Sequence, residues 1–155
     1  MARPGGIAGV DEVPALRRSP RGHVFEDVPH QAFRRGFTLR AARVPHIESS
    51  LAYRIEAEGK TLVYSGDTDY SDALIELARG SDALIIECAL PDDESKRSGH
   101  LTPGEVIETA NRSGAKRVIV THLYPVCDEM KVVERIRKSV RAEVTEARDL
   151  LQIEV

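Results

Sequence analysis

The sequence predicts an α/β fold, a mixed sheet with helices packed on one face. Three observations predict it. Short apolar runs of strand character recur along the chain, at 37–44, 51–57, 61–65, 83–87 and 117–121. Helix punctuation separates the later runs, with Gly80 closing one helical stretch and Thr102-Pro103-Gly104-Glu105 opening another. Polar residues able to do chemistry stand where the apolar runs stop, which is where sites gather in open α/β sheets.

The elements follow in order. Residues 1–22 are rich in Arg, Pro and Gly, show little periodicity, and are expected to form a poorly ordered lead-in to a folded part over 23–155. Residues 37–44 alternate as a strand, and Leu51, Tyr53 and Ile55 share one face of the next. Glu58-Gly59-Lys60 supplies a hairpin turn into the strand 61–65. Leu74, Ile75 and Leu77 mark a helix over 72–79. The run 83–87 is a buried strand. Thr102 is a hydroxyl cap, with proline at the first helical position and Glu105 three residues after the cap, so a helix starts there and stops at Gly114. A buried strand over 117–121, a helix over 129–140 and short closing strands at 143–146 and 151–155 complete the pattern. Asp128 is placed to cap the helix that follows it, and no internal repeat is visible.

At 155 residues, 41% hydrophobic and 30% charged, the chain has the composition of one globular domain with a real core. Its longest apolar runs are far too short to span a bilayer, and no signal-peptide pattern opens it, so the expected location is the cytoplasm with no membrane partner. Cys88 and Cys127 follow no metal-ligand spacing and read as small buried apolar residues. Residues 1–44 hold eight arginines, no lysine and four acids, a basic arm that reads as solvated.

The chemistry is concentrated in four places. The strand 61–65 runs into Gly66-Asp67-Thr68, which delivers a carboxylate to a strand tip beside a glycine that permits close approach. His46 follows the first strand, His100 precedes the helix that begins at Thr102, and His122 follows the strand 117–121. A carboxylate and several imidazoles at successive strand ends are the raw material of a metal site. Asp92, Asp93 and Glu94 read as a solvated acidic loop, and the charged face of the last helix as a solvated one.

Taken together, Val44-Pro45-His46, Leu51-Ala52-Tyr53-Arg54-Ile55, Tyr64-Ser65-Gly66-Asp67-Thr68, Asp82-Ala83-Leu84-Ile85-Ile86-Glu87, Gly99-His100-Leu101-Thr102-Pro103 and Val120-Thr121-His122-Leu123 resemble the metallo-β-lactamase superfamily in order and spacing. Within it the likeness is to the ribonuclease Z-like branch of metal-dependent hydrolases, over roughly residues 37–155. The departure is equally plain: that family carries a His-x-His-x-Asp-His cluster in its N-terminal half, and the only histidines before His46 are His23 and His30. The resemblance therefore implies half of an αββα sandwich, with 23–155 as its C-terminal part. The face opposite the helices, where the other half packs, is expected to be apolar and exposed.

Residue by residue, the resemblance makes His46, Asp67 and His122 metal ligands, with Asp67 bridging two zinc ions in the complete site. It makes His100 the catalytic group that donates a proton or holds the scissile phosphate, with Glu87 orienting it. Thr68 and Thr121 would steady neighbouring ligands through their hydroxyls. Weak or absent zinc binding is expected of this chain alone, because three ligands are divided between two ions. The function implied is a metal-dependent hydrolase of the phosphodiesterase type, acting on RNA or a small phosphodiester and completed by an N-terminal half. The alternative is a non-catalytic remnant that acts by association, for example as a homodimer.

Overall fold

The structure is a computed structural model that describes residues 25–26, 36–93, 96–97 and 99–155. The expected lead-in over 1–22 and Glu94 of the acidic loop lie outside the described residues.

Among the described residues seven strands form one mixed sheet in sequential order. They are β1 (Phe25–Glu26), β2 (Phe37–Arg43), β3 (Leu51–Ala57), β4 (Lys60–Tyr64), β5 (Ala83–Glu87), β6 (Arg117–Thr121) and β7 (Glu143–Glu146). The first four pair antiparallel, and β4 to β7 pair parallel. The change of pairing has a simple cause. β3 and β4 are joined by the two-residue turn Glu58-Gly59, both at positive φ (51° and 76°), which matches the twist of a tight hairpin. Each parallel step instead spans a helical crossover. These crossovers are α1 (Asp72–Leu77), α2 (Pro103–Ser113), and the pair α3 (Pro125–Glu129) and α4 (Val132–Ser139).

The helices cover one face of the sheet. Ala42, Ala52, Val63, Leu84, Ile86, Val118, Val120 and Val144 point from the strands into a core shared with Leu74 and Leu77 of α1, Val106 and Ala110 of α2, and Val132 and Ile136 of α4. Burial of aliphatic side chains at about 1.5–3 kcal/mol each is what holds the helices down. The opposite face is apolar as well. Strand register sets Ala41, Tyr53, Tyr64, Ile85 and Ile119 in one row across it, with Leu39, Ile55 and Leu62 in the next. Only Tyr64 in these rows is exposed, at 44%, whereas Ala41 and Ile119 are buried and the others half-buried. The face is thus less open than the sequence suggested. Side chains on adjacent strands stand within about 5 Å and shelter one another.

Three elements differ from expectation, the first being β1, a two-residue strand that was not expected. The helix expected over 129–140 is α4 and starts three residues later, at Val132, because Lys131 before it adopts a left-handed conformation (φ 52°) that separates it from α3, a short helix that was not expected. Asp128 accordingly lies inside α3 and caps nothing. Residues 151–155 form no strand; Arg117 reaches the Glu154 carbonyl at 2.7 Å and holds the tail beside the sheet. At α2 the predicted capping box is present, with the Thr102 hydroxyl accepting from Glu105 N–H and the Glu105 carboxylate accepting from Thr102 N–H.

Candidate metal centre

β2, β4, β5 and β6 all run in one direction, because β2 and β4 are each antiparallel to β3 and the later strands are parallel to β4. Their C-terminal ends therefore share one edge of the sheet. His46 lies just beyond β2, Asp67 beyond β4, Glu87 at the end of β5 and His122 immediately after β6. His100 enters from the connection between β5 and α2. Topology alone thus gathers residues separated by up to 76 positions in sequence.

Local backbone conformation aims them. Gly66 turns the chain at φ 60°, where an added Cβ would stand 3.0 Å from the Leu51 carbonyl oxygen. His122 itself sits at φ 56°, a region that few side chains other than Asn, Asp and His enter. The turn sets its imidazole at the strand tip, where Nδ1 meets Asp67 Oδ1 at 3.0 Å. The rings of His46 and His100 lie 5.0 Å apart between centroids, and those of His100 and His122 lie 5.3 Å apart. His100 stands between the other two. Tyr124, 47% exposed, extends the row at 5.7 Å from His122.

The three histidines use the same nitrogen for the protein. Nδ1 of His46 donates to the Gly99 carbonyl at 2.9 Å and Nδ1 of His100 to Glu87 Oε1 at 2.9 Å, while Nδ1 of His122 lies beside Asp67 Oδ1 as an ion-pair contact. Each Nε2 makes no hydrogen bond among the described residues. An imidazole held through Nδ1–H by a carbonyl or carboxylate presents a basic Nε2 lone pair, which is how metal-binding histidines are oriented. The donor set thus has the chemistry that zinc requires. It falls short in number: among the described residues no three His, Cys, Asp or Glu side chains are grouped to hold an ion unaided.

Glu87 is deeply placed, 1% exposed. Besides His100, its oxygens accept from the N–H groups of Thr68 (2.8 Å), Ala89 (3.1 Å) and Leu101 (3.2 Å). It therefore ties the β4–α1 loop to both ends of the β5–α2 connection as well as orienting His100. Thr68 contributes through its backbone N–H rather than the expected hydroxyl, which donates to the Asp69 carbonyl. The Thr121 hydroxyl makes no hydrogen bond to a site residue among the described residues.

Two residues that the sequence did not single out are built into the site. Asp69 accepts from Gly99 N–H at 3.0 Å and from Lys96 Nζ at 2.5 Å. Burial works against its charge, but Lys96 and the Gly99 and Tyr70 N–H groups outweigh burial and hold its carboxyl below the usual range. Burial likewise opposes the Lys96 charge, and Asp69 and Glu105 more than restore it. The only sequence signal was a carboxylate two residues after Asp67. The acidic loop is also more than solvated, since Asp93 accepts from Gly104 N–H at the start of α2 and pairs with Arg135 of α4. Cys88 and Cys127 are buried free thiols, as expected, and burial pushes both pKa values up.

The family model for the beta-lactamase superfamily domain matches residues 12–123. The ribonuclease Z of Methanothermobacter thermautotrophicus is 36% identical over 101 residues, which are 63% of this chain and 33% of that protein. A zinc phosphodiesterase ELAC protein 2 homolog of Caenorhabditis elegans is 29% identical over 126 residues, 77% of this chain and 15% of that protein. The metallo-beta-lactamase fold protein YhfI from Bacillus subtilis superposes with a TM-score of 0.65 at 28% identity, covering 77% of this chain and 50% of that one. The chain thus spans a third or less of these two curated relatives and half of the solved structure. With most of its length matched by the family model, a ribonuclease Z among its relatives and its fold shared with the YhfI structure, the chain belongs to the metallo-β-lactamase superfamily and is ribonuclease Z-like.

Proposed function

We propose that this chain carries part of the active site of a zinc-dependent phosphodiesterase. The observation that supports it is the group of three imidazoles beside Asp67, two of them hydrogen-bonded at Nδ1 and the third, His122, in contact with Asp67 through the same nitrogen. His46, Asp67 and His122 would hold metal. Zinc, when bound, supplies Lewis-acid activation of water and of the phosphoryl group. The remaining ligands come from outside the histidines of this sequence, in the same polypeptide or in a partner.

The chain's own residues do the rest. Glu87 fixes the tautomer of His100 and holds its ring between contacts with the rings of His46 and His122. With a second proton on the ring, Nε2 could donate to the leaving oxygen or hydrogen-bond a non-bridging phosphoryl oxygen, where negative charge collects, while Nδ1–H stays on Glu87. The substrate class follows the names of the relatives, a ribonuclease and a phosphodiesterase, so RNA or a small phosphodiester is the expected substrate. Two buried reduced thiols suit a cytoplasmic setting.

The test is a complementation assay. The 155-residue chain alone should turn over bis(p-nitrophenyl) phosphate negligibly. Supplying a His-x-His-x-Asp-His segment from a related enzyme, fused or in trans, should yield zinc-dependent turnover. His122→Ala and Asp67→Ala should abolish it, and His100→Ala should lower kcat by about 10²–10⁴-fold. Zinc-dependent hydrolysis by the chain alone would overturn the half-site reading. A second reading, a non-catalytic subunit of the same fold, is favoured by the lack of any three grouped metal donors among the described residues. It becomes the correct one if the completed protein stays inert toward phosphodiester, lactone and thioester substrates.

A further inference from the structure

Asp69 touches every loop that brings a histidine in from outside β6. Its N–H donates to the carbonyl of Pro45, the residue before His46, at 2.6 Å. Its Oδ2 accepts from Gly99 N–H at 3.0 Å, and its Oδ1 from Tyr70 N–H at 2.7 Å and Lys96 Nζ at 2.5 Å. Lys96 then donates to the His100 carbonyl at 2.8 Å and to Glu105 Oε2 at 2.7 Å. Gly99 is the shared node, because its own carbonyl accepts from His46 Nδ1.

Geometry makes this node stiff. Gly99 lies at φ 96°, and an added Cβ would stand 3.0 Å from His46 Nδ1. The Gly99 carbonyl and His100 N–H belong to one planar peptide unit. The bond that orients the His46 ring therefore also fixes the plane from which His100 departs. The other side of Gly99 is held by the Asp69 carboxylate, through a charge-assisted bond of the stronger kind. Turning the Gly99 carbonyl away from His46 would rotate the His100 peptide, and releasing Gly99 N–H from Asp69 would free both.

We propose that Asp69, braced by Lys96, is a positioning residue that couples the orientation of His46 to that of His100 through the Gly99 peptide. The proposal rests on the reading that His46 and His100 serve one site, and it assigns Asp69 no contact with substrate or metal. It makes the proposed ligand and the proposed proton donor settle together rather than separately.

The test is spectroscopic and needs no turnover. The 155-residue chain, labelled with nitrogen-15, is compared with Asp69→Ala, Lys96→Met and Lys96→Arg in metal-free buffer. Asp82→Asn serves as the control, since Asp82 accepts from Thr61 N–H and Lys116 at the opposite edge of the sheet. In Asp69→Ala and Lys96→Met the imidazole signals of both His46 and His100 should shift together, and exchange of the Gly99 amide should accelerate at least about tenfold. Lys96→Arg should restore the native pattern in good part. Asp82→Asn should lower the melting temperature and leave both imidazoles in place. If Asp69→Ala does not fold, Lys96→Met carries the same comparison. Unmoved imidazoles in a destabilised Asp69→Ala or Lys96→Met would overturn the proposal, as would movement of only one ring. An inert completed enzyme with coupled rings would remove the hydrolase reading and leave this one standing.

Discussion

Glu87 carries four donors on two oxygens inside the protein, and that arithmetic makes it irreplaceable by its own amide. Oε1 accepts from Thr68 N–H and His100 Nδ1, and Oε2 from Ala89 and Leu101 N–H. A glutamine there turns its NH₂ either toward the Ala89 and Leu101 N–H groups or toward Thr68 N–H and a His100 ring that must then change tautomer, so each orientation leaves at least one buried N–H facing an amide N–H. Each buried unsatisfied group costs about 1–3 kcal/mol. Glu87→Gln is therefore expected to lose roughly 3 kcal/mol of unfolding free energy in urea, while a solvent-facing change such as Glu108→Gln loses far less. A loss below about 1 kcal/mol for Glu87→Gln would mean that the four bonds are not all made in solution. The site was legible in the sequence to the extent that its residues end strands. His46, Asp67, His100 and His122 could be placed because each follows an apolar run or precedes a helix cap. Asp69 and Lys96 could not, because their importance lies in backbone N–H and C=O groups brought together only by the fold.

The first turn of α2 is held by a carboxylate from outside the helix. Asp93 accepts from Gly104 N–H at 2.9 Å, and a Cβ on Gly104 would collide with that carboxylate, so the glycine makes the approach possible. Burial opposes the Asp93 charge, but Arg135, Thr102 and the Gly104 N–H outweigh it and keep the carboxyl below its usual range. A group whose folded pKa is depressed stabilises the fold above its unfolded pKa of about 3.9 and loses that contribution as pH falls through the folded value. Urea denaturation of Asp93→Asn should therefore show a deficit against the unmutated chain that is constant above about pH 5 and closes below about pH 4. A deficit that persists undiminished into acid would show that the Asp93 charge contributes nothing. The break between α3 and α4 is a different device. Lys131 holds φ 52° where a side chain costs roughly 1–2 kcal/mol. Lys131→Gly should raise the melting temperature by a few degrees, and a fall would place the benefit of lysine in its side chain instead. The bounds of β2 to β7 were readable to within a residue because apolar runs and turn residues agree, whereas the two-residue β1 carries no such run and the apolar tail over 151–155 forms no strand. The α3–α4 break was not readable, since neither Pro nor Gly marks it and a left-handed lysine leaves no trace in composition.

At the scale of the whole molecule the question is how much of a metal shell one sheet edge can hold. Metal sites close with four ligands when structural and keep about three on one ion when catalytic. Here Asp67 and His122 pair directly with each other, while His46 stands on the far side of His100, and no three donors are grouped among the described residues. The sandwich-like sheet supplies the rest of the logic. The second apolar face, with Tyr53, Ile55, Leu62 and Tyr64 across its strands, is suited to a second layer that would bring further donors to the same edge. Linkage converts this into a melting experiment. A ligand that binds only the folded state adds about 0.4 kcal/mol of stability when its concentration equals Kd, and about 2.7 kcal/mol at a hundred times Kd. For the 155-residue chain, micromolar zinc should move the melting temperature by less than about 1–2 °C. The same zinc should raise that of the chain completed by a His-x-His-x-Asp-His segment by several degrees, and Asp67→Ala should erase that gain. A shift of several degrees in the chain alone, abolished by Asp67→Ala, would mean that this edge closes a tight site without outside ligands, and the division of the shell between two halves would have to be abandoned.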